Sequence, residues 1–297
     1  MKNWSRFTFF VVAVLWGVSF AFQKTLLGII HPFTYTFWDF TVAFLVLITI
    51  ALFRNTNLFY RLQEGLFLGV LLAVYEIFQM LGLKFTTSAD TVFISNIGML
   101  LIPYAGLFLF RHKISLKNNI AIILAAIGMY LLVDGVHGFN FGDGMLLISA
   151  VGMALYFLYS QRFEGERSSH LLALLVQQFF VTSLIAGLVV MVTKHDVFVP
   201  TDIAGTLLLQ IIVFTVVPYV LIQWASRWAD EMVATLYDGV VEPLVGGINS
   251  WVFFAEPSTR LNVIGALLMV IAFSYAGIFA DRHFLRRGVN MLRSLGR

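Results

Sequence analysis

Apolar segments about twenty residues long, each closed by a short polar or basic tract, recur from Phe7 to Phe279, and a helix needs about that length to cross the hydrocarbon core of a bilayer. Backbone inside lipid must satisfy its own hydrogen bonds, so the recurrence predicts an all-α membrane protein. Hydrophobic residues make up 60% and charged residues only 12% of the 297 positions, with mean hydropathy +0.89. A soluble core has no use for that much apolar surface.

Hydropathy and polar punctuation predict ten transmembrane helices, near 7–30, 33–53, 64–84, 88–110, 118–135, 143–161, 170–193, 203–226, 229–254 and 260–280. The first follows Lys2 and Arg6 as a secretory leader would. It is too long for one and lacks a small-residue cleavage site, so it is read as a retained helix. With the amino terminus cytoplasmic, all but four of the 19 Lys and Arg residues fall on the inner side; Lys24, Lys84, Lys194 and Arg260 are the exceptions. The positive-inside rule then places both termini in the cytoplasm, and the even number of spans agrees. The basic tail, 282–297, reads as a topological anchor against anionic lipid. Nucleic-acid binding is disfavoured despite the basic balance, because it requires a basic patch on a soluble reading surface. The chain has no Cys, so disulfides and thiol chemistry are absent.

Internal symmetry is the next signal. Setting the second half 144 residues behind the first aligns Gln79 with Gln223, Thr91 with Thr235, Asn118 with Asn262 and Ile120 with Ile264. Gln23-Lys24 lies against Gln161-Arg162 at a slightly different offset. Five helices per half is an odd number, so the halves would insert with opposite orientation, the arrangement many secondary transporters use around a midplane site. The domain reading is one repeat over 1–137, a second over 138–281, and the tail.

Motifs along nearly the whole chain resemble the drug/metabolite transporter superfamily in its ten-helix EamA-type branch. They are Leu15-Trp16-Gly17-Val18-Ser19-Phe20, Gly82-Leu83-Lys84-Phe85-Thr86-Thr87-Ser88-Ala89, Phe141-Gly142-Asp143-Gly144, Gln177-Gln178, Glu242-Pro243-Leu244 and Phe254-Ala255-Glu256. The resemblance implies two inverted five-helix repeats around a central cavity in the inner (plasma) membrane. It also implies transport of small organic metabolites without ATP hydrolysis, amino acids and related amines foremost and export more often than uptake. Two positions depart from the family pattern. Asp39 stands where Arg is frequent, and Arg111-His112 where a Glu is frequent.

Intramembrane acids cost roughly 2.5–3.5 kcal/mol at a helix centre by insertion scales, so they face a cavity or a partner. Asp39, Glu76, Asp238 and Glu242 are the candidates. On the ninth segment Asp238, Glu242 and Asn249 share a helical face; Glu76 and Gln79 share one on the third, with Tyr75 beside them. The first carries a stripe of Trp16, Ser19, Phe20 and Gln23, and the eighth offers Tyr219, Gln223 and Trp224. With Tyr156, Gln177 and Tyr237, these residues form the candidate substrate-binding set.

Aromatic faces beside carboxylates can enclose an organic cation, so the expected substrate is cationic or zwitterionic, with choline-like quaternary amines as the alternative. Each aromatic also has an ordinary place against lipid or at the interface. Asp39 could instead pair with Lys24 or Lys84, and Glu242 could bond backbone groups freed by Pro243. Asp39, Asp238 and Glu242 are candidate carriers of a coupling proton. The Gln residues could serve as interhelical links. Pro103, Pro218 and Pro243, with neighbouring glycines, mark the fourth, eighth and ninth segments as gating or close-packing helices. Asp90, Asp143, Asp196 and Asp202 read as caps or solvated positions.

An enzyme is disfavoured. All six histidines are expected at helix ends or in loops, and no Walker loop, HExxH metal motif or nucleophile elbow is present. No cofactor is implied. A channel is disfavoured too, because inverted repeats with midplane acids suit alternating access. The expected partners are a small-molecule substrate, a proton and the lipid bilayer, the carrier being a monomer or a homodimer.

Overall fold

The computed structural model describes residues 2–111, 114, 116–133, 138–163, 171–225 and 240–279. The regular secondary structure among them is helical throughout. In chain order the helices are α1 Lys2–Leu27, α2 Pro32–Phe53, α3 Leu62–Phe85, α4 Ser88–Phe110, α5 Leu116–Leu132, α6 Phe141–Phe163 and α7 Leu171–Thr193. There follow α8 Thr201–Ile211, a π-helical segment Ile212–Val216 and α9 Val217–Ala225, which together make one rod. Then come α10 Glu242–Ile248, a second π segment Asn249–Phe253, and α11 Arg260–Phe279. Among the described residues, seven helical stretches are long and apolar enough to cross a membrane; Asn119–Leu132 and Arg260–Tyr275 are shorter apolar helices. The start of the ninth expected segment, 229–239, and the basic tail lie outside the described residues.

Local chemistry sets the helix starts. His31 caps α2 by accepting the Phe33 N–H at Nδ1 (3.3 Å), and Pro32 fills the first turn, where its missing N–H costs nothing. Thr87 caps α4 by accepting the Asp90 N–H at 2.9 Å. Asn140 and Asp143 form a reciprocal cap on α6: Asn140 Oδ1 takes the N–H groups of Gly142 (2.6 Å) and Asp143 (3.2 Å), and Asp143 Oδ2 takes that of Asn140 (2.9 Å). The expected cap at Asp143 is met in this form.

The helices pair in a pattern that survives exchange of the two halves. With α1–α5 matched to α6, α7, α8/α9, α10 and α11, the α3–α6 contact maps onto α1–α9, and α4–α6 onto α1–α10. The α2–α7, α5–α11 and α4–α10 contacts map onto themselves. Lipid tails are as apolar as leucine, so cohesion inside a bilayer comes from close packing and interhelical hydrogen bonds. Gly128 and Gly265 bring α5 and α11 together so closely that a Cβ on Gly265 would stand 2.5 Å from the Gly128 carbonyl oxygen. Asn262 Nδ2 fastens the same pair by donating to the Leu132 carbonyl at 2.6 Å. On the central pair, the Thr41 and Ser183 hydroxyls join α2 to α7 at 2.6 Å.

Candidate functional site

The polar stripe on α1 faces inward. Trp16, Ser19, Phe20 and Gln23 recur at helical spacing and line one central cavity of about 160 Å³. From α2 come Asp39 and Phe40; from α3, Tyr75, Glu76 and Gln79; from α6, Met153, Tyr156, Phe157 and Ser160. Phe214 and Thr215 in the first π segment, Tyr219 and Ile222 on α9, and Glu242 at the start of α10 complete the opposite wall. Eight of the twelve expected site residues therefore meet around one space: Trp16, Phe20, Asp39, Glu76, Gln79, Tyr156, Tyr219 and Glu242.

Gln177 is placed elsewhere. Its Nε2 donates to the carbonyls of Leu58 (2.6 Å) and Tyr60 (3.0 Å), pinning α7 to the α2–α3 connection. Of Gln223 only the backbone, in α9, is described; Tyr237 and Asp238 lie outside the described residues. Met99, Met153, Phe157, Leu171, Leu175, Phe214 and Thr215 line the cavity without having been expected to.

Aromatic rings brace the walls edge to face. Trp16 meets Tyr219 at 5.8 Å, Tyr219 meets Phe179 at 4.9 Å, and Phe179 meets Phe40 at 5.1 Å. Glu242 is buried, and Oε1 accepts from Asn96 Nδ2 on α4 at 3.2 Å. Asn96 is thus one partner of the Glu242 carboxylate, reaching it from α4. Tyr156 donates to Gln178 Oε1 at 2.8 Å, and Gln79 Nε2 to the Tyr75 hydroxyl at 3.3 Å. Among the described residues, no Lys, Arg or His lines the cavity, whereas Asp39, Glu76 and Glu242 do.

Lys24 and Lys84, the expected alternative partners of Asp39, make their bonds to backbone carbonyls. Lys24 Nζ donates to the carbonyls of Leu83 (2.7 Å), Lys84 (2.9 Å) and Thr86 (2.7 Å), and Lys84 Nζ donates to that of Leu27. Beside them Thr34 donates to the Asp196 carbonyl (2.7 Å) and Trp38 Nε1 to that of Val197 (2.8 Å). Glu256 accepts the Ser88 N–H with both carboxylate oxygens. One end of the bundle is thus tied across α1, α3, α4 and the α7–α8 loop. The cavity runs from Gln23 and Asp39 away from that end, toward Ser160, Leu171 and Ile222.

The model of the EamA-like transporter family matches residues 3–134 and again 140–276. The chain belongs to the EamA-like transporter family. It is accordingly a transporter of the drug/metabolite transporter superfamily and a multi-pass membrane protein. An uncharacterized transporter of Archaeoglobus fulgidus is 24% identical over 265 residues, spanning 88% of this chain and 82% of that protein. An uncharacterized transporter of Methanothermobacter thermautotrophicus is 23% identical over 301 residues, covering 91% and 84%. The uncharacterized transporter YetK of Bacillus subtilis is 25% identical over 221 residues, covering 72% and 64%. A protein crystal structure 18% identical in sequence shares the fold with a TM-score of 0.66, over 95% of this chain and 99% of its own.

Proposed function

We propose that this EamA-family protein is a secondary active transporter that exports amino acids or related amines across the inner membrane by alternating access. One observation carries the substrate class: among the described residues the cavity is walled by the carboxylates of Asp39, Glu76 and Glu242 and by several aromatic rings, with no basic side chain lining it. An organic anion entering it would meet like charge in a medium of low dielectric, whereas an ammonium group gains both carboxylate and ring faces. Pockets that hold drug-sized ligands start near roughly 300 Å³, so a cavity of about 160 Å³ favours a compact metabolite.

In this reading the chain has ten spans with both termini cytoplasmic, in two inverted five-helix repeats over 1–137 and 138–281. The lysine-tied end then faces outward and the cavity leans inward, the state that receives a substrate for export. Glu242 binds the amine in one half of the cycle and a proton in the other, with Asp238 as a further proton candidate. Because both compete for one carboxylate, the two fluxes are locked as an exchange. The rings of Trp16, Tyr75 and Tyr219 support a second reading, movement of quaternary amines of the choline type.

The test is thermal stability of the purified protein against amino acids, amines, choline, nucleosides and organic anions, followed by counterflow in proteoliposomes with the stabilising compound. Stabilisation by amines, lost in Glu242→Gln, is expected. Stabilisation by organic anions instead would overturn the cationic-site assignment.

A further inference from the structure

Among the described residues eight buried side-chain polar atoms have no hydrogen-bond partner, and four of them belong to one cluster: Gln23 Oε1, Tyr35 OH, Asp39 Oδ1 and Gln210 Nε2. Buried polar atoms are seldom left unpaired, and the three oxygens of this group, on Gln23, Tyr35 and Asp39, can all turn a lone pair to one cation, whereas Gln210 Nε2 is a donor only. All four side chains are more than nine-tenths buried, with exposures of 8%, 0%, 5% and 3%. Gln23 and Gln210 flank the Tyr35 hydroxyl, and the Thr215 side chain stands beside the Asp39 carboxylate. Gln23, Asp39 and Thr215 also line the central cavity, so the cluster opens onto it.

Local helix geometry builds this arrangement. Tyr35 and Asp39 are one turn apart on α2 and present the same face. Residues five apart on an α-helix, such as Gln210 and Thr215, would diverge by about 140°. The π segment Ile212–Val216 absorbs the extra residue and returns Thr215 toward the face that holds Gln210. Interrupted helices near the midplane are where many transporters hold their coupling ions.

We propose that Asp39, Gln23, Tyr35 and Thr215 form a binding site for sodium, separate from the amine position at Glu242. The donor set is one carboxylate with neutral oxygens from three helices, the chemistry of a hard cation. One negative charge balances a monovalent ion, while a divalent ion would leave a net positive charge in a low-dielectric site. The bound ion neutralises Asp39, so the carrier can reorient without dragging a bare carboxylate through the bundle.

The test uses the full-length protein, purified without any amine at neutral pH, melted in NaCl, KCl or N-methyl-D-glucamine chloride at constant ionic strength. A saturable, sodium-specific rise in melting temperature is expected. It should disappear, or need at least tenfold more sodium, in Asp39→Asn, Tyr35→Phe and Thr215→Val, and persist in Glu242→Gln. Direct binding of radioactive sodium should follow the same order. Equal melting in the three salts, an equal response to potassium, or a sodium response that the Asp39, Tyr35 and Thr215 variants all retain would overturn the proposal. If Asp39→Asn does not fold, Tyr35→Phe and Thr215→Val decide. Amine binding measured separately in sodium-free buffer tests the export reading, so either can fail without the other.

Discussion

His31 and His195 lie face to face, their ring centroids 3.4 Å apart and their planes 14° from parallel, and so join the α1–α2 turn to the α7–α8 loop. His31 also caps α2 through Nδ1, which must be unprotonated to accept the Phe33 N–H. Burial first, then His195 and then Lys84, lower the His31 pKa to about 4. An unfolded chain takes up that proton near pH 6.5. Between those values the unfolded state binds more protons than the folded one, so stability rises with pH. The contribution is complete above about pH 6.5 and is lost as the pH falls through about 4. Acidification from about pH 7 to 5 should therefore lower the melting temperature of the wild type more than that of His31→Gln. Equal slopes for the two proteins would refute the assignment.

Lys24 ends α1 by placing its ammonium on three carbonyls at and just past the end of α3. A cation there offsets the negative end of the helix dipole and satisfies carbonyls that have no helical donor. Lys24→Met keeps most of the stem and removes the donors. A loss of about 1.5–3 kcal/mol is expected, the range for hydrogen bonds to a charged group. Denaturation of Lys24→Met within error of wild type would show the three contacts to be incidental.

The positions of the apolar helices were legible because hydropathy reports lipid exposure directly; α2, α4 and α7 begin and end within one residue of expectation. The expected first helix is displaced toward the C-terminus: the observed helix begins at Lys2, and although Gly28, Ile29 and Ile30 continue its composition, the backbone leaves the helix there in turns that bond back to Thr25 and Leu26. In the site, Gln23 and Ser19 were legible as polar residues in apolar surroundings. Met99, Met153 and Phe214 were not, because an apolar side chain facing a cavity reads like one facing lipid. Gln177 carried the same polar signal as Gln79 but turns to loop carbonyls, a choice made by tertiary position alone. The π segment that places Thr215 has no compositional mark, and without it Tyr35 and Gln210 do not read as neighbours of one cluster.

Glu256 holds the start of α4 from another part of the chain. Its oxygens lie 3.1 and 2.9 Å from the Ser88 N and 2.7 Å from the Ser88 hydroxyl, with the Ser250 hydroxyl donating as well. Glu256→Ala removes an acceptor and a negative charge from a helix N-terminus. A loss of about 1–2 kcal/mol is expected, with Glu256→Gln losing less because an amide oxygen still accepts. A melting series of the three proteins checks the order.

The absence of Cys makes orientation directly measurable. Ser258 and Asn57 are exposed and fall on opposite sides in the proposed topology, Ser258 beside the Glu256 tie and Asn57 between α2 and α3. In intact cells Ser258→Cys should react with a membrane-impermeant maleimide, and Asn57→Cys only after the membrane is opened. The reverse pattern would invert the proposed orientation of the whole chain.

Glu242→Gln separates charge from shape. Glutamine keeps the length of the side chain and an Oε1 that can accept from Asn96 as Glu242 does at 3.2 Å, so the start of α10 and its packing against Gly17 should be retained. What disappears is the charge that an ammonium would meet. A charge-assisted hydrogen bond contributes about 1.5–3 kcal/mol, which corresponds to roughly a 10- to 150-fold weaker amine affinity. Calorimetric titration of both proteins should show that loss while their melting temperatures without ligand remain close. If the variant binds amine as tightly as wild type, Glu242 is a structural partner of Asn96, and the amine must be sought at Glu76.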